Sequence, residues 1–165
     1  MILLMKNKII KKIIISVLVI SLLVIVDQWS KLLAVDRLMN QDSFDVIKHL
    51  LTFEYVENPG AAFSSFLNKK VFLCSITVVA LALFSVYLFK CKDKYTYVGL
   101  LLVIGGAIGN FIDRLRLSYV IDFIHFSFFS PVFNLADVFL TVGVAIIIIV
   151  LLYEAKNELK ETKNG

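Results

Sequence analysis

Charged residues are scarce in this chain of 165 residues. Asp, Glu, Lys and Arg make up 18% of it, hydrophobic residues make up 59%, and the mean hydropathy is +0.88. A typical soluble domain is about a quarter charged and about half apolar. The shortage of charge therefore argues against a soluble domain, and the concentration of apolar residues in blocks indicates one compact integral membrane unit.

Cysteine and histidine are also rare, with two of each. Cys74 and Cys91 are separated by about the length of one membrane span, so we expect no disulfide between them. No Cys or His spacing typical of a metal site occurs. No basic stripe interleaved with aromatic residues occurs either, although the net charge is +4. We therefore expect no metal, no other cofactor and no nucleic-acid partner.

The N-terminal apolar run lacks a small-residue cleavage signal of the A-x-A type. Lysines followed by an apolar stretch are typical of a secretory signal peptide, but here the stretch ends at Asp27, Gln28 and Trp29. We expect this run to be retained as the first membrane helix.

Four apolar blocks are each close to the ~20 residues that a helix needs to cross a bilayer. They predict transmembrane spans over about residues 12–31, 71–89, 95–112 and 132–153, followed by a tail over 154–165. Lysines cluster before the first span, between the second and third, and in the tail, which predicts that both termini are cytoplasmic. No internal repeat or second domain is visible, so we expect residues 1–165 to form a single membrane domain.

The segment over about residues 32–70 would then face outward, and it is too long for a turn. It contains a strand-like stretch, Leu51–Val56, followed by the turn signal Asn58-Pro59-Gly60. These features predict a small sheet resting on the outer membrane surface.

Polar residues gather at the outer ends of the predicted spans, whereas the inner halves are almost purely apolar. Structural roles are open for several of them. Asp27 and Lys31 have the i, i+4 spacing of an ion pair at a helix end, and Asp113 beside Arg114 is compatible with a second pair. The set at this face comprises Asp27, Asn110, Asp113, Arg114, Asp122, Asn134 and Asp137.

Asp122 and Asp137 have no Lys or Arg within four positions in the sequence. Burying an unpaired carboxylate inside a membrane costs much free energy, and two carboxylates that share one proton would lower that cost. Such a pair is also the machinery of an aspartic hydrolase. Asn134, three residues before Asp137, could orient that carboxylate or satisfy a buried polar group. The residues alone leave a two-aspartate hydrolase, a proton or ion pathway and structural polar pairing open.

Five short motifs occur in an order that resembles the lipoprotein signal peptidases, also called signal peptidase II. They are "DQWSK", "NPGAAFS", "GNFIDR", "VIDF" and "FNLAD", spread over about residues 27–145. The resemblance implies a multi-pass aspartic endopeptidase of the bacterial inner membrane, with its active site at the outer face. Such enzymes cleave the signal peptide from diacylglyceryl-modified prolipoproteins, just before the lipidated cysteine.

The resemblance also implies a fold and residue roles. The fold is mainly α, with four membrane helices, a small outward β-cradle and a short surface helix, and we expect a monomer in contact with membrane lipid. Asp122 and Asp137 would be the catalytic pair. Asn58, Gly60 and Arg114 would contact substrate, and the supporting polar residues would be Asp27, Lys31, Asn110, Asp113 and Asn134. Pro59 and Val138 depart from the family pattern.

Two rival functions make different predictions. A small transporter or proton channel favours ionisable residues near the bilayer midplane and often an inverted repeat, and neither is visible here. A non-catalytic lipoprotein chaperone with the same groove would bind the precursor without cleaving it.

Overall fold

Four long helices and one small sheet make up the structure, a computed structural model that describes residues 2–60 and 69–164. The helices are α1 (Ile2–Leu38), α2 (Lys69–Lys90), α3 (Lys94–Leu117) and α4 (Leu135–Asn164); the strands are β1 (Phe44–Ile47), β2 (Leu51–Asn58), β3 (Val120–Phe126) and β4 (Phe129–Phe133). All four helices are long and apolar enough to cross a membrane. The prediction of a mainly helical membrane protein with a small sheet is confirmed.

Helix α3 is the central helix, and α1, α2 and α4 all pack against it. More than half of the residues in its most apolar stretch are buried, whereas few residues are buried in the corresponding stretches of the other three helices. Large apolar side chains such as Leu18, Leu83 and Leu152 point outward. This distribution suits helices whose outer faces are solvated by lipid rather than by water.

Glycines allow α3 to approach its neighbours closely. A Cβ atom on Gly105 would lie 2.8 Å from Leu23 of α1, and one on Gly99 would lie 2.8 Å from the carbonyl oxygen of Gly143 on α4. Small residues at helix interfaces let backbones pack tightly where no water drives association. Close packing of α1 and α4 on α3 brings the polar ends of the three helices together.

The sheet is antiparallel throughout, with strand order β1-β2-β3-β4. Its predicted strand, Leu51–Val56, lies within β2. Two residues join α3 to β3, and only Asn134 joins β4 to α4, so the sheet is held directly at one end of the helices. Ile121 and Phe123 pack with Ala34 of α1, and Asp122 between them points to the other face of the sheet.

The connection that leads from Asp122 to Asp137 is more ordered than the sequence suggested. Asp122, which falls between the third and fourth predicted spans, lies in β3, and β3 pairs with both β2 and β4. No short surface helix occurs within residues 2–60 and 69–164, and residues 61–68 of the predicted outer segment lie outside the described part. The cytoplasmic position of the termini and the outward position of the sheet remain predictions.

Candidate active site

Asp122 lies at the centre of a buried cluster where the sheet meets the helices. Its side chain is almost fully buried, with the residue 2% exposed. Each carboxylate oxygen accepts a hydrogen bond from an asparagine amide. Asn58 Nδ2 donates to Oδ2 at 2.8 Å, and Asn134 Nδ2 donates to Oδ1 at 2.6 Å. Strand β3 therefore presents this carboxylate to donors from β2 and from the start of α4.

Asp137 lies in the first turn of α4, where it forms a reciprocal capping arrangement with Asn134. The Asp137 N–H donates to Asn134 Oδ1 at 3.0 Å, and the Asn134 N–H donates to Asp137 Oδ2 at 3.2 Å. This is the capping-box geometry, with Asn and Asp in place of the usual Ser or Thr and Glu or Gln. The other oxygen of Asp137 accepts from Asn110 Nδ2 at 2.8 Å. Asn134 therefore contacts both carboxylates: it orients Asp137 and donates to Asp122.

Each of the three asparagine amides has its orientation fixed by a donor to its own oxygen. Gly60 N donates to Asn58 Oδ1 at 2.9 Å, and Lys31 Nζ donates to Asn110 Oδ1 at 2.8 Å. The backbone of Asp137 does the same for Asn134. Because an amide that accepts through oxygen presents its NH₂ group on the other side, all three are set to donate to the carboxylates. All four carboxylate oxygens accordingly accept one N–H each.

Lys31 is buried beside this pair and makes three polar contacts. Its ammonium lies 3.0 Å from Asp27 Oδ2, 2.8 Å from Asp113 Oδ2 and 2.8 Å from Asn110 Oδ1. Lys31 is 1% exposed, and both of its carboxylate partners are also buried. The three N–H groups of the ammonium are thus all used. Asp27 and Asp113 have a direct counter-charge, and the ammonium reaches Asp137 only through Asn110.

Three further residues take part in the cluster although sequence reasoning did not select them. Gln28 Nε2 lies 2.9 Å from Asp113 Oδ1 and 3.2 Å from Asp27 Oδ2. The Ala136 N–H donates to Asp27 Oδ1 at 2.9 Å, and a Cβ atom at Gly109 would collide with Asp27. Gln28 could have been found from the sequence, because it lies inside the motif "DQWSK". The Ala136 donor could not, because every residue except proline has a backbone N–H.

The second ion pair that the sequence left open, Asp113 with Arg114, does not form. Asp113 pairs with Lys31, because adjacent residues of a helix point in different directions. Arg114 is half-buried, and its side chain makes no hydrogen bond or ion pair with any residue that the structure describes. Gly60 has a φ of 82°, and a Cβ atom there would lie 2.8 Å from Leu73. This left-handed conformation is what lets its N–H reach Asn58.

Burial raises the pKa of Asp122 from 3.8 to about 6. The hydrogen bonds from Asn58 and Asn134 oppose this rise in pKa, and the negative charge of Asp137 adds to it. Desolvation disfavours the charged form of a carboxyl group, as does a nearby like charge. A pKa near neutrality suits a carboxyl group that exchanges a proton during a reaction.

A model of the family described as "Signal peptidase (SPase) II" matches residues 19–153. The chain belongs to the signal peptidase II family. Its relatives include the lipoprotein signal peptidase of Clostridium tetani, 43% identical over 145 residues that cover 84% of this chain and 93% of the relative. That of Caldanaerobacter subterraneus is 45% identical over 134 residues, covering 80% and 92% of the two chains.

A solved structure described as a bacterial membrane enzyme has the same fold. It superposes with a TM-score of 0.76 at 38% identity and covers 83% of this chain and 92% of the other. As a signal peptidase II, the protein is an aspartic protease of a bacterial membrane, with several membrane-spanning helices. Membership of this family favours the hydrolase over the transporter and the non-catalytic chaperone.

Proposed function

We propose that the protein cleaves signal peptides from diacylglyceryl-modified prolipoproteins, before the lipidated cysteine, and that Asp122 and Asp137 activate the attacking water. The observation that carries this proposal is that the four buried carboxylates have two different kinds of polar partner. Asp27 and Asp113 each form an ion pair with Lys31. Asp122 and Asp137 have only uncharged N–H donors among the residues that the structure describes.

This difference in partners supports different roles. A carboxylate that is paired with a buried lysine keeps its charge and is suited to holding structure. A carboxylate that is buried without a cation can gain or lose a proton near neutral pH, which is the requirement for general acid–base chemistry. The raised pKa of Asp122 agrees with this assignment.

In the proposed reaction the pair holds one proton. The ionised carboxylate removes a proton from water as its oxygen attacks the carbonyl carbon of the scissile peptide, and the protonated carboxyl group donates to the carbonyl oxygen. The tetrahedral intermediate then collapses. The C–N bond breaks, the carbonyl re-forms, and the leaving nitrogen takes a proton from the pair. The products are the free signal peptide and a new N-terminal lipidated cysteine.

The surrounding residues support the remaining parts of the proposal. Asn110 and Asn134 hold the pair in position. Lys31 fixes the amide of Asn110, and Asp27 and Asp113 in turn hold Lys31. Asn58, at the end of β2, contacts Asp122, and Gly60 follows two residues later; this position suits contact with the substrate backbone. Arg114 has no polar partner in the described chain and is available to bind a substrate carbonyl group. We place this site at the outer face of the inner membrane, where a signal peptide leaves the bilayer.

The test is cleavage of a synthetic precursor, with and without its diacylglyceryl group, by the purified protein in detergent or vesicles. We expect cleavage of the lipidated form only. Asp122→Asn and Asp137→Asn should each abolish turnover, because an amide cannot carry the shared proton. Asp36→Asn is the matched control, since Asp36 is an exposed carboxylate of α1 that pairs with the adjacent Arg37.

Retained cleavage in either variant of the pair would refute the mechanism. Binding of the precursor by the unaltered protein without any cleavage would refute the proposed function itself. Unchanged activity of Asp36→Asn would show that losing one carboxylate elsewhere on the chain is harmless.

A further inference from the structure

The two hairpin turns of the sheet lie side by side and carry large exposed apolar side chains. The first turn covers residues 47–50, and the second covers residues 126–129. They are joined by the hydrogen bond from the Ser127 N–H to the Leu50 carbonyl oxygen at 3.1 Å. We call these two turns the apolar tip. Its exposed large side chains are Ile47, Leu50, Phe128 and Phe129.

The composition of the apolar tip is unusual for turns in water. Turns that face water are rich in Gly, Asn, Asp, Ser and Pro, but these two read "IKHL" and "FSFF". Phe128 is 76% exposed, more than the 65% of Leu83 on the outward face of α2. A contiguous exposed apolar patch on a protein marks an interaction site. The fold brings these two turns, which are far apart in the sequence, together into one such patch.

The charged residues of the apolar tip are compatible with a bilayer interface as its partner. Lys48 and His49 lie between Ile47 and Leu50, and neither turn contains Asp or Glu. His49 adopts a left-handed conformation with a φ of 62° that closes the turn between the two apolar residues. Aromatic and aliphatic side chains beside lysine are the composition of segments that lie in a bilayer interface, where the lysine reaches the phosphate groups.

The tethering of the sheet keeps the apolar tip near a membrane. β3 starts three positions after the last residue of α3, and β4 is followed after one residue by α4, both of which are long enough to span a bilayer. β3 carries the chain about 20 Å from its helix-proximal end to the tip, at about 3.3 Å per residue. If the strands stood upright, the tip would be exposed to water. If they lie along the membrane surface, the tip reaches lipid.

We infer that the strands lie along the membrane surface and that the apolar tip inserts into the leaflet on that side. Ile47, Leu50, Phe128 and Phe129 enter the boundary between headgroups and acyl chains, and Lys48 contacts lipid phosphate. The partner is the lipid of the bilayer itself. The insertion gives the sheet a second attachment to the membrane, about one strand length away from the helices.

The test measures the depth of a nitroxide label in vesicles of phosphatidylcholine and phosphatidylglycerol. Labels are placed at Phe128→Cys in a Cys74→Ser, Cys91→Ser background. Leu83→Cys serves as the lipid-facing reference, and Lys160→Cys, on the charged end of α4, serves as the aqueous reference. Oxygen concentrates in the acyl region and a water-soluble nickel chelate stays outside it. We expect the label at position 128 to collide preferentially with oxygen, as at 83 and opposite to 160.

A second measurement asks whether the two turns insert together. With the label at Ile47→Cys, the substitution Phe128→Ser should lower the ratio of oxygen to nickel collisions, because the inserted patch loses its most exposed side chain. Nickel accessibility at 128 equal to that at 160 would overturn the inference. An unchanged collision ratio at 47 after Phe128→Ser would also overturn it, since the tip would then not insert as one unit.

Discussion

Lys31→Met is the substitution that tests the buried network most directly. Methionine has nearly the length and volume of lysine but no charge, so it removes the three contacts of the ammonium without leaving a large cavity. Asp27 and Asp113 then remain buried without a counter-charge. Removing one member of a buried ion pair typically costs about 3–5 kcal/mol, which is a large part of the total stability of a protein of this size.

The expected loss in the free energy of unfolding can be measured as a shift in the thermal unfolding midpoint. A change of 1 kcal/mol shifts the midpoint by about 2–4 °C for chains of 150–250 residues, so Lys31→Met should lower it by roughly 10 °C. Cys74 and Cys91 are free and half-buried, and a thiol-reactive dye can report their exposure during heating. Lys160→Met, which removes an exposed lysine of α4, is the matched control and should leave the midpoint unchanged.

Two results would refute this reasoning. One is a midpoint for Lys31→Met that equals that of the unaltered protein. The other concerns the double variant Lys31→Met, Asp113→Asn, which removes one of the two stranded charges. It should be more stable than Lys31→Met alone, so a further loss of stability would show that unpaired charge is not the cause. Activity should also fall in Lys31→Met, because the Asn110 amide loses the donor that fixes its orientation.

Three further predictions use the same assays. Gly109→Ala should destabilise the protein and reduce cleavage, because its methyl group would displace Asp27; an unfolding midpoint equal to that of the unaltered protein would contradict this. Asn134→Ala should reduce cleavage at least as strongly as Gly60→Ala, because Asn134 contacts both carboxylates and Gly60 acts only through a neighbouring amide; the reverse order would be evidence against the amide network. A pKa of Asp122 raised from 3.8 to about 6 means that the folded state holds this proton more tightly, so stability should fall as the pH rises from about 4 through 6, by up to about 3 kcal/mol. Asp122→Asn should flatten that dependence, measured as the unfolding midpoint against pH.

The helices could be predicted because a bilayer imposes a length on any helix that crosses it. The strand Leu51–Val56 could be predicted from its composition and the turn that follows. Strands β3 and β4 could not, because "VIDFIHFSFFSPVF" is apolar almost throughout, which hides the alternation of a half-buried strand.

Local spacing also predicted part of the polar cluster. Asp27 and Lys31 are four residues apart and do form an ion pair, and Asn134 does contact Asp137 three residues later. The contact of Lys31 with Asp113 joins two helices that are distant in sequence, and no local rule predicts it. The donation from Asn134 to Asp122 likewise depends on where the sheet places β3 beside the start of α4.

The hydrogen bond from Ala136 to Asp27 links the first helix to the last, and it has a consequence for biosynthesis. Helices enter the membrane in the order in which they are made, so the Asp27–Lys31 pair arrives long before its partners on α3 and α4. The ammonium first meets Asp113 and Asn110 when α3 arrives, and the Ala136 donor to Asp27 arrives only with α4. No residue of α2 that the structure describes takes part in these contacts. A chain truncated before α4 would lack the Ala136 donor to Asp27, so the polar groups of α1 gain all of these contacts when the last helix is in place.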